Sequence, residues 1–225
     1  MIATSLSTPI GDASRIASRA EWQRERDALL EEEKALSRAL DRLAEKRRAL
    51  PWVAVDEPYR FASETGPVTL ADLFGKNSQL AVYHFMFGPG REEGCDGCSF
   101  VADHFDGADL HLCHHDVSLV AVSRAPLAEF LPFKRRMGWR FAWVSSAGSD
   151  FNYDFGATDE NDQEQHGLSV FAKNAAGQVF HTYSTQGRGV DLLIGAHNIL
   201  DLTPKGRNEQ SVMDWVRHHD RYGHD

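Results

Sequence analysis

Two cysteines three positions apart, Cys95 and Cys98, are the residues of this chain most able to do chemistry. They follow the run Leu80-Ala-Val-Tyr-His-Phe-Met-Phe87 and the loop Gly88-Pro-Gly-Arg-Glu-Glu-Gly94, and they precede Phe100, Val101 and Phe105 at helical spacing. The first run is almost continuously apolar and rich in β formers, too short to span a membrane, and it predicts a strand buried on both faces. Glycine and proline end it. The thiols therefore stand at the start of the helix in a strand–loop–helix unit. A thiolate at Cys95 would sit near the free N–H groups and positive dipole end of that helix, which favour the anion and lower the thiol pKa. Cys98, one turn on, lies on the same face. The pair can close a local disulfide, with Cys95 as attacking thiol and Cys98 as resolving thiol, both expected within reach of a partner from solvent. Arg91 would help a thiolate, whereas Glu92, Glu93 and Asp96 would oppose it; sequence does not rank them.

The same spacing serves structural zinc sites, and free cysteine is often simply core, so redox, metal and inert readings all stand for C-x-x-C. The metal alternative draws on the cluster His111-Leu-Cys113-His114-His115-Asp116: Cys95, Cys98, Cys113 and His114 could supply soft and imidazole ligands to zinc. The bland reading of that cluster is a polar turn with one buried cysteine. In the redox reading no cofactor is needed beyond the redox-active disulfide itself.

The elements that must position the pair can be read in order. Residues 1–14 are small and polar, and a loose tail is expected. From Ser18 to Leu50 the chain is rich in Glu, Arg, Lys, Ala and Leu, with no Gly or Pro until Pro51, which predicts one long helix. Its Trp22, Leu29, Leu36, Leu43 and Leu50 recur every seven residues, a narrow stripe that could pack on its own domain or on a partner, a homodimer included. Trp52–Val55 is a short strand candidate, and Tyr59–Ala62, the turn residues Ser63–Pro67 and Val68–Phe74 suggest a hairpin-like entry followed by one helical turn. Gly107 and Asp109 predict a break after the thiol helix. Val117–Ser123 predicts a second buried strand, Pro126 opens a helix that Pro132 should disturb, and Phe141–Val144 predicts a third strand. Strand, helix, strand, helix, strand implies a parallel core with right-handed crossovers. Residues 145–166 form a long polar segment with Phe151, Tyr153 and Phe155, of the kind that lines sites. A hairpin follows, with glycine at Gly177, then a helical spacing over Val190–Leu202 and a last amphipathic segment capped by Asn208. The expected division is residues 1–50 as tail and long helix, 51–204 as one α/β domain, and 205–225 as a tail with a short helix.

Composition narrows the function classes. With 24 Lys and Arg against 33 Asp and Glu, the net charge is −9, and an acidic chain without a basic cluster argues against nucleic acid. The three cysteines are too few for a disulfide framework. No basic start or apolar run marks a signal peptide or a membrane span, so a cytoplasmic location is expected.

The element order, the C-x-x-C helix and the hairpin Phe-Ala-Lys-Asn-Ala-Ala-Gly-Gln-Val-Phe-His-Thr-Tyr-Ser together resemble the thioredoxin-like superfamily, which includes the peroxiredoxins. More narrowly, Tyr83-His-Phe-Met-Phe-Gly88, Gly94-Cys-Asp-Gly-Cys-Ser-Phe100, Val122-Ser-Arg-Ala-Pro126 and Phe180-His-Thr-Tyr-Ser-Thr-Gln-Gly-Arg-Gly189 resemble a bacterial thioredoxin-like family of unknown function. The resemblance implies an α/β three-layer sandwich, a mixed central sheet flanked by helices, with the long N-terminal helix as an extension. It maps Cys95 to the nucleophile and Cys98 to its resolving partner in exchange with a protein or small-molecule disulfide or thiol. It also places His166 and Gly167 opposite the thiols, where thioredoxins have a cis-proline, and marks Tyr183 and Arg188 as candidate substrate contacts. Thioredoxins carry Trp where this chain has Gly94, and Gly-Pro where it has Asp96-Gly97. Peroxiredoxins use Pro-x-x-x-Thr-x-x-Cys where this chain has Gly88 and Glu92, which argues against peroxidase chemistry of that type. A non-enzymatic interaction or redox-sensing module is the alternative within the same fold.

Overall fold

The computed structural model describes residues 15–223, and the tail expected over residues 1–14 lies outside them. The helix read between Ser18 and Pro51 is α1 (Arg19–Arg48). Ser18 and Glu21 close a reciprocal capping box, and Lys46, Arg47 and Arg48 sit in the last turn, each end matched in sign to the helix dipole.

Eight strands form one sheet: β1 (Val53–Ala54), β2 (Arg60–Ser63), β3 (Gly66–Thr69), β4 (Gln79–His84), β5 (Val117–Ser123), β6 (Ala142–Ser145), β7 (Gly167–Lys173) and β8 (Val179–Gln186). Their order is β1-β8-β7-β4-β5-β6-β2-β3. β4, β5 and β6 are parallel neighbours, and β7 lies antiparallel against β4 on the other side. This is a mixed sheet with a parallel core, as the order of elements implies. β4 sits near the centre and ends at His84, three residues before its apolar run does. Phe85 and Phe87 stay buried, and the pairing continues through Phe85 N–H to Val122 O and Ala125 N–H to Phe87 O, both 2.9 Å.

The alternation along β4 divides the core in two. Tyr83, with Phe85 and Phe87 beyond it, faces a layer built on α2 (Asp96–Ala102), α4 (Leu127–Arg136) and α6 (Gly195–Leu200). Leu80 and Val82 face Phe61, Phe74, Val144, Phe151 and Phe171. That second face is covered by the short α5 (Phe151–Asp154), the turn at Asp72–Phe74 and the β2–β3 hairpin.

Four local expectations differ from what is found; one is the helix read over Val190–Leu202, which is a 3₁₀ stretch at Gly187–Leu193 and α6, parted at Ile194 (φ −97°, ψ 90°). The thiol helix breaks at Asp103–His104, and α3 (Phe105–Leu112) runs through Gly107 and Asp109. The His104 ring explains the break: Nδ1–H donates to the Phe100 carbonyl at 2.9 Å and Nε2 accepts the Ala196 N–H at 3.2 Å. α4 continues through Pro132, with Phe130 and Phe133 buried on either side. Residues 209–215 make turns and bends rather than a capped helix, with Asn208 at φ 49° and Met213 at φ 60°; only a short 3₁₀ turn forms beyond them, at His219–Arg221. Among the described residues no helix is long and apolar enough to cross a membrane.

Candidate functional site

The loop after β4 delivers Cys95 to the N-cap of α2 in extended backbone (φ −59°, ψ 132°), and its N–H is held by Met86 O at 3.5 Å. Gly94 is the residue that permits this path. A Cβ there would lie 2.6 Å from a Phe85 ring carbon and 2.8 Å from one of Phe133. The bulky residue that thioredoxins carry before the first cysteine therefore has no room in this loop.

The two thiols differ sharply. Cys95 is half-buried and its thiol is pulled down to about 6. The Cys98 thiol directed at its sulfur contributes most; burial works the other way, and the backbone N–H groups of Cys98 and Gly97 and the charge of His166 favour the anion further. Cys98 is 1% exposed, and burial pushes its thiol well up, reinforced by the neighbouring Cys95 sulfur. The expectation that both sulfurs face solvent is thus corrected: a visitor can meet Cys95, and Cys98 can meet only Cys95. Asp96–Ala102 is a single two-turn helix whose Cys98 and Val101 side packs into the core with Phe85 and Phe105, which draws Cys98 inward.

Two of the charges that sequence left unranked are spoken for elsewhere. Glu93 pairs with Arg136 and Arg221. Asp96 lies 3.0 Å from Nε2 of His218. The buried His218 also fixes the loop: Arg136 can only donate, so Nδ1 accepts from it (2.9 Å), and Nε2–H points at the Gly94 carbonyl at 2.9 Å. Arg136 is held in turn by Asp220 at 2.8 Å. Met213 completes the cover. Its sulfur would be 3.4 Å from a Cβ on Gly97, and it packs with Cys95 against the α2–α4–α6 core.

Sequence reasoning passed over two further neighbours. Tyr83 reads as core, and it is fully buried, but its hydroxyl has no hydrogen-bond partner of ordinary geometry and faces the Cys98 and Cys95 sulfurs. Glu164 lies against Gly88, where a Cβ would be 3.1 Å from its carboxylate oxygen. Burial raises its pKa; the charges of Arg91 and Arg124 hold it down in part, while the Cys95 sulfur raises it. Tyr83 opens the family-like motif Tyr83–Gly88 without any sign there of a role at the thiols, and Glu164 stands in the polar segment 145–166 that was expected to line a site.

Of the candidates read from sequence, His166 acts electrostatically on Cys95, and Gly167 opens β7 opposite His84 at the end of β4. All peptide bonds of the described residues are trans, the one joining His166 and Gly167 included. Tyr183 lies elsewhere, under the Arg47 guanidinium at 5.4 Å, and Arg188 pairs with Asp191 at 3.2 Å. His84 is a core histidine stacked on Phe151, with Nε2 2.9 Å from Ser169 Oγ, and burial pushes it down to about 4. Tyr153 bonds Asp162 under Arg124. Cys113 faces Asp109 at 3.9 Å. Among the described residues no three His, Cys, Asp or Glu side chains gather as a metal-binding group, so Cys113 and His114 do not join the Cys95 pair.

The model of a bacterial protein family of unknown function, DUF899, matches residues 11–222. No curated protein matches the sequence. Among solved structures the chain is similar to a PrxQ mutant from Xylella fastidiosa, at 11% identity and TM-score 0.48 over 66% of this chain and 94% of that one. It is also similar to the peroxidoxin BcpB from Mycobacterium tuberculosis, at 16% identity and TM-score 0.46 over 64% and 94%.

Proposed function

The chain belongs to this bacterial family of unknown function, and from that premise we propose that it acts as a thiol–disulfide oxidoreductase through Cys95 and Cys98. What supports the reading is the opposition of the two thiols: an accessible sulfur with its pKa drawn down to about 6, one turn from a sealed sulfur with its pKa pushed up. A thiol ionised near neutral pH is the attacking group, and a protonated, enclosed one waits for an internal partner.

In the first step the Cys95 thiolate attacks one sulfur of a substrate disulfide. The Cys95–substrate S–S bond forms, the substrate S–S bond breaks, and the departing thiolate takes a proton from solvent. In the second, Cys98 gives up its proton and attacks the Cys95 sulfur, releasing the other substrate half as a thiol. The dithiol is oxidised by two electrons and the substrate disulfide is reduced to two thiols. His166 favours the Cys95 anion before attack, and the Tyr83 hydroxyl offers a donor to the Cys98 sulfur as it ionises. His166, whose charge acts on Cys95, is the proposed substrate contact, with the buried Gly167 setting the backbone behind it; Tyr183 and Arg188 are not carried forward, since their partners lie elsewhere.

The test is trapping. With a Cys98→Ser variant and a small aromatic disulfide, the Cys95 mixed disulfide should accumulate and be seen as a mass adduct. In the unaltered protein it should resolve to the Cys95–Cys98 disulfide. An unaltered protein that never forms that intramolecular disulfide would end the proposal.

A further inference from the structure

α1 is 30 residues long, about 45 Å at the usual rise, and none of its residues is buried. Its ring contact to the sheet is at its end, Arg47 over Tyr183. Yet it carries large apolar side chains in a row: Trp22, Leu29, Leu36, Leu40, Leu43 and the adjoining Leu50 are 42–62% exposed. A stripe of that length left in water marks an unfilled interface.

We infer that the occupant of this stripe is α1 of a second copy of the chain, packed antiparallel about a two-fold axis at Leu36. Two features of the sequence select this arrangement. First, positions 22, 29, 36, 43 and 50 are symmetric about 36. The axis sets Leu36 on the partner's Leu36, Leu29 on the partner's Leu43, and Trp22 on the partner's Leu50, so one patch complements itself as a closed dimer requires. Second, charge is segregated along the helix. Glu21, Glu25, Asp27, Glu31, Glu32 and Glu33 outnumber Arg19, Arg24 and Arg26 in the first half; Lys34, Arg38, Arg42, Lys46, Arg47 and Arg48 outnumber Asp41 and Glu45 in the second. The helix's own dipole accounts for charges in its first and last turns only; in the interior Glu31 pairs with Lys34 and Glu33 with Arg26 within the helix, which leaves the net segregation itself to be matched by a partner. Antiparallel packing lays the net-acidic half along the net-basic half and sets Glu25, which also pairs with Arg15 of its own chain, beside the partner's Arg47, while the same register faces Arg26 with the partner's Lys46 and Asp27 with the partner's Glu45. Parallel packing would set like charges side by side.

The area suffices. Six large side chains per helix, each giving up about 100 Å², remove on the order of 1,200 Å² from water across the pair, the lower edge of a standard stable interface.

Sedimentation equilibrium of the full chain at micromolar concentration tests this. A mass twice 25.2 kDa is expected for the unaltered protein, and 25.2 kDa for Leu36→Glu, which sets two carboxylates face to face at the axis. Because Leu36→Glu could also loosen the helix, a charge pair provides the second reading. Glu25→Arg should weaken the dimer about tenfold, since symmetry repeats the lost pair, and adding Arg47→Glu to the same chain should restore it. A monomeric unaltered protein, a dimer indifferent to Leu36→Glu, or a double reversal that fails to rescue would each overturn the assignment.

Discussion

Replacing Cys98 by Ala should move the ionisation of Cys95 by an amount the geometry fixes in advance. The Cys98 S–H is the first contributor to the lowered Cys95 pKa, while the N–H groups of Gly97 and Cys98 belong to the backbone and survive the substitution. A hydrogen bond to a charged acceptor contributes about 1.5–3 kcal/mol, and a thiol is a weak donor, so the lower end applies. At about 1.4 kcal/mol per pKa unit, Cys95 should rise by about one unit, from about 6 to roughly 7. At pH 7 the ionised fraction falls from roughly nine-tenths to one-half. The assay is the pH dependence of alkylation at Cys95, with Cys113 replaced by Ser in both proteins and adducts assigned by mass spectrometry. The midpoint should shift up by about one unit, and the plateau rate should increase about threefold, because a more basic thiolate is more nucleophilic with a Brønsted slope near 0.4–0.5. A midpoint that does not move would remove the neighbouring thiol from the account and leave the backbone donors and His166 as its cause. A midpoint near 8.5 in the unaltered protein, the ordinary thiol value, would refute the premise itself.

Gly94→Ala should destabilise the fold by about 1–3 kcal/mol in denaturant titration, the usual cost of overpacking, because its Cβ would strike the packed rings of Phe85 and Phe133; an unchanged midpoint would show that the loop yields freely. Tyr83→Phe should leave stability unchanged or raise it by up to about 1 kcal/mol, since a buried hydroxyl without a partner is a cost. The same variant should lengthen the life of the Cys95 mixed disulfide without slowing its formation, as followed by quenched mass spectrometry; equal lifetimes would dissociate Tyr83 from the second step.

Where residues close in sequence decide the structure, the sequence could be read. Ser18 and Glu21 announce α1, the run Val117–Ser123 is β5 to the residue, and Gly177 turns the hairpin at φ 82°. Elsewhere the outcome depends on groups far away. The helix break at His104 depends on the Ala196 N–H, 92 positions on. The amphipathic spacing of residues 209–216 is real, since Val216 is buried and Met213 and Trp215 pack on the core. Side chains replace the helix there: Glu209 accepts the Met213 N–H, and Asp214 accepts those of Gln210 and Ser211. For the site, the thiol pair and its helix were visible, but the opposed acidities were not. They arise from how deeply α2 sinks into the core and from the aim of the Cys98 thiol and the charge of His166 at the Cys95 sulfur, neither of which spacing encodes.

The bond from His218 to the carbonyl of Gly94 joins residues 124 positions apart, and such distant closures come late in folding because the loop entropy is settled only once much else has formed. A nascent molecule can thus pair the parallel strands β4, β5 and β6 while the peptide leading into the reactive sulfur is still unclamped. Chemical competence would then lag behind compactness, and thiol reactivity during refolding would report a later event than the burial of tryptophan.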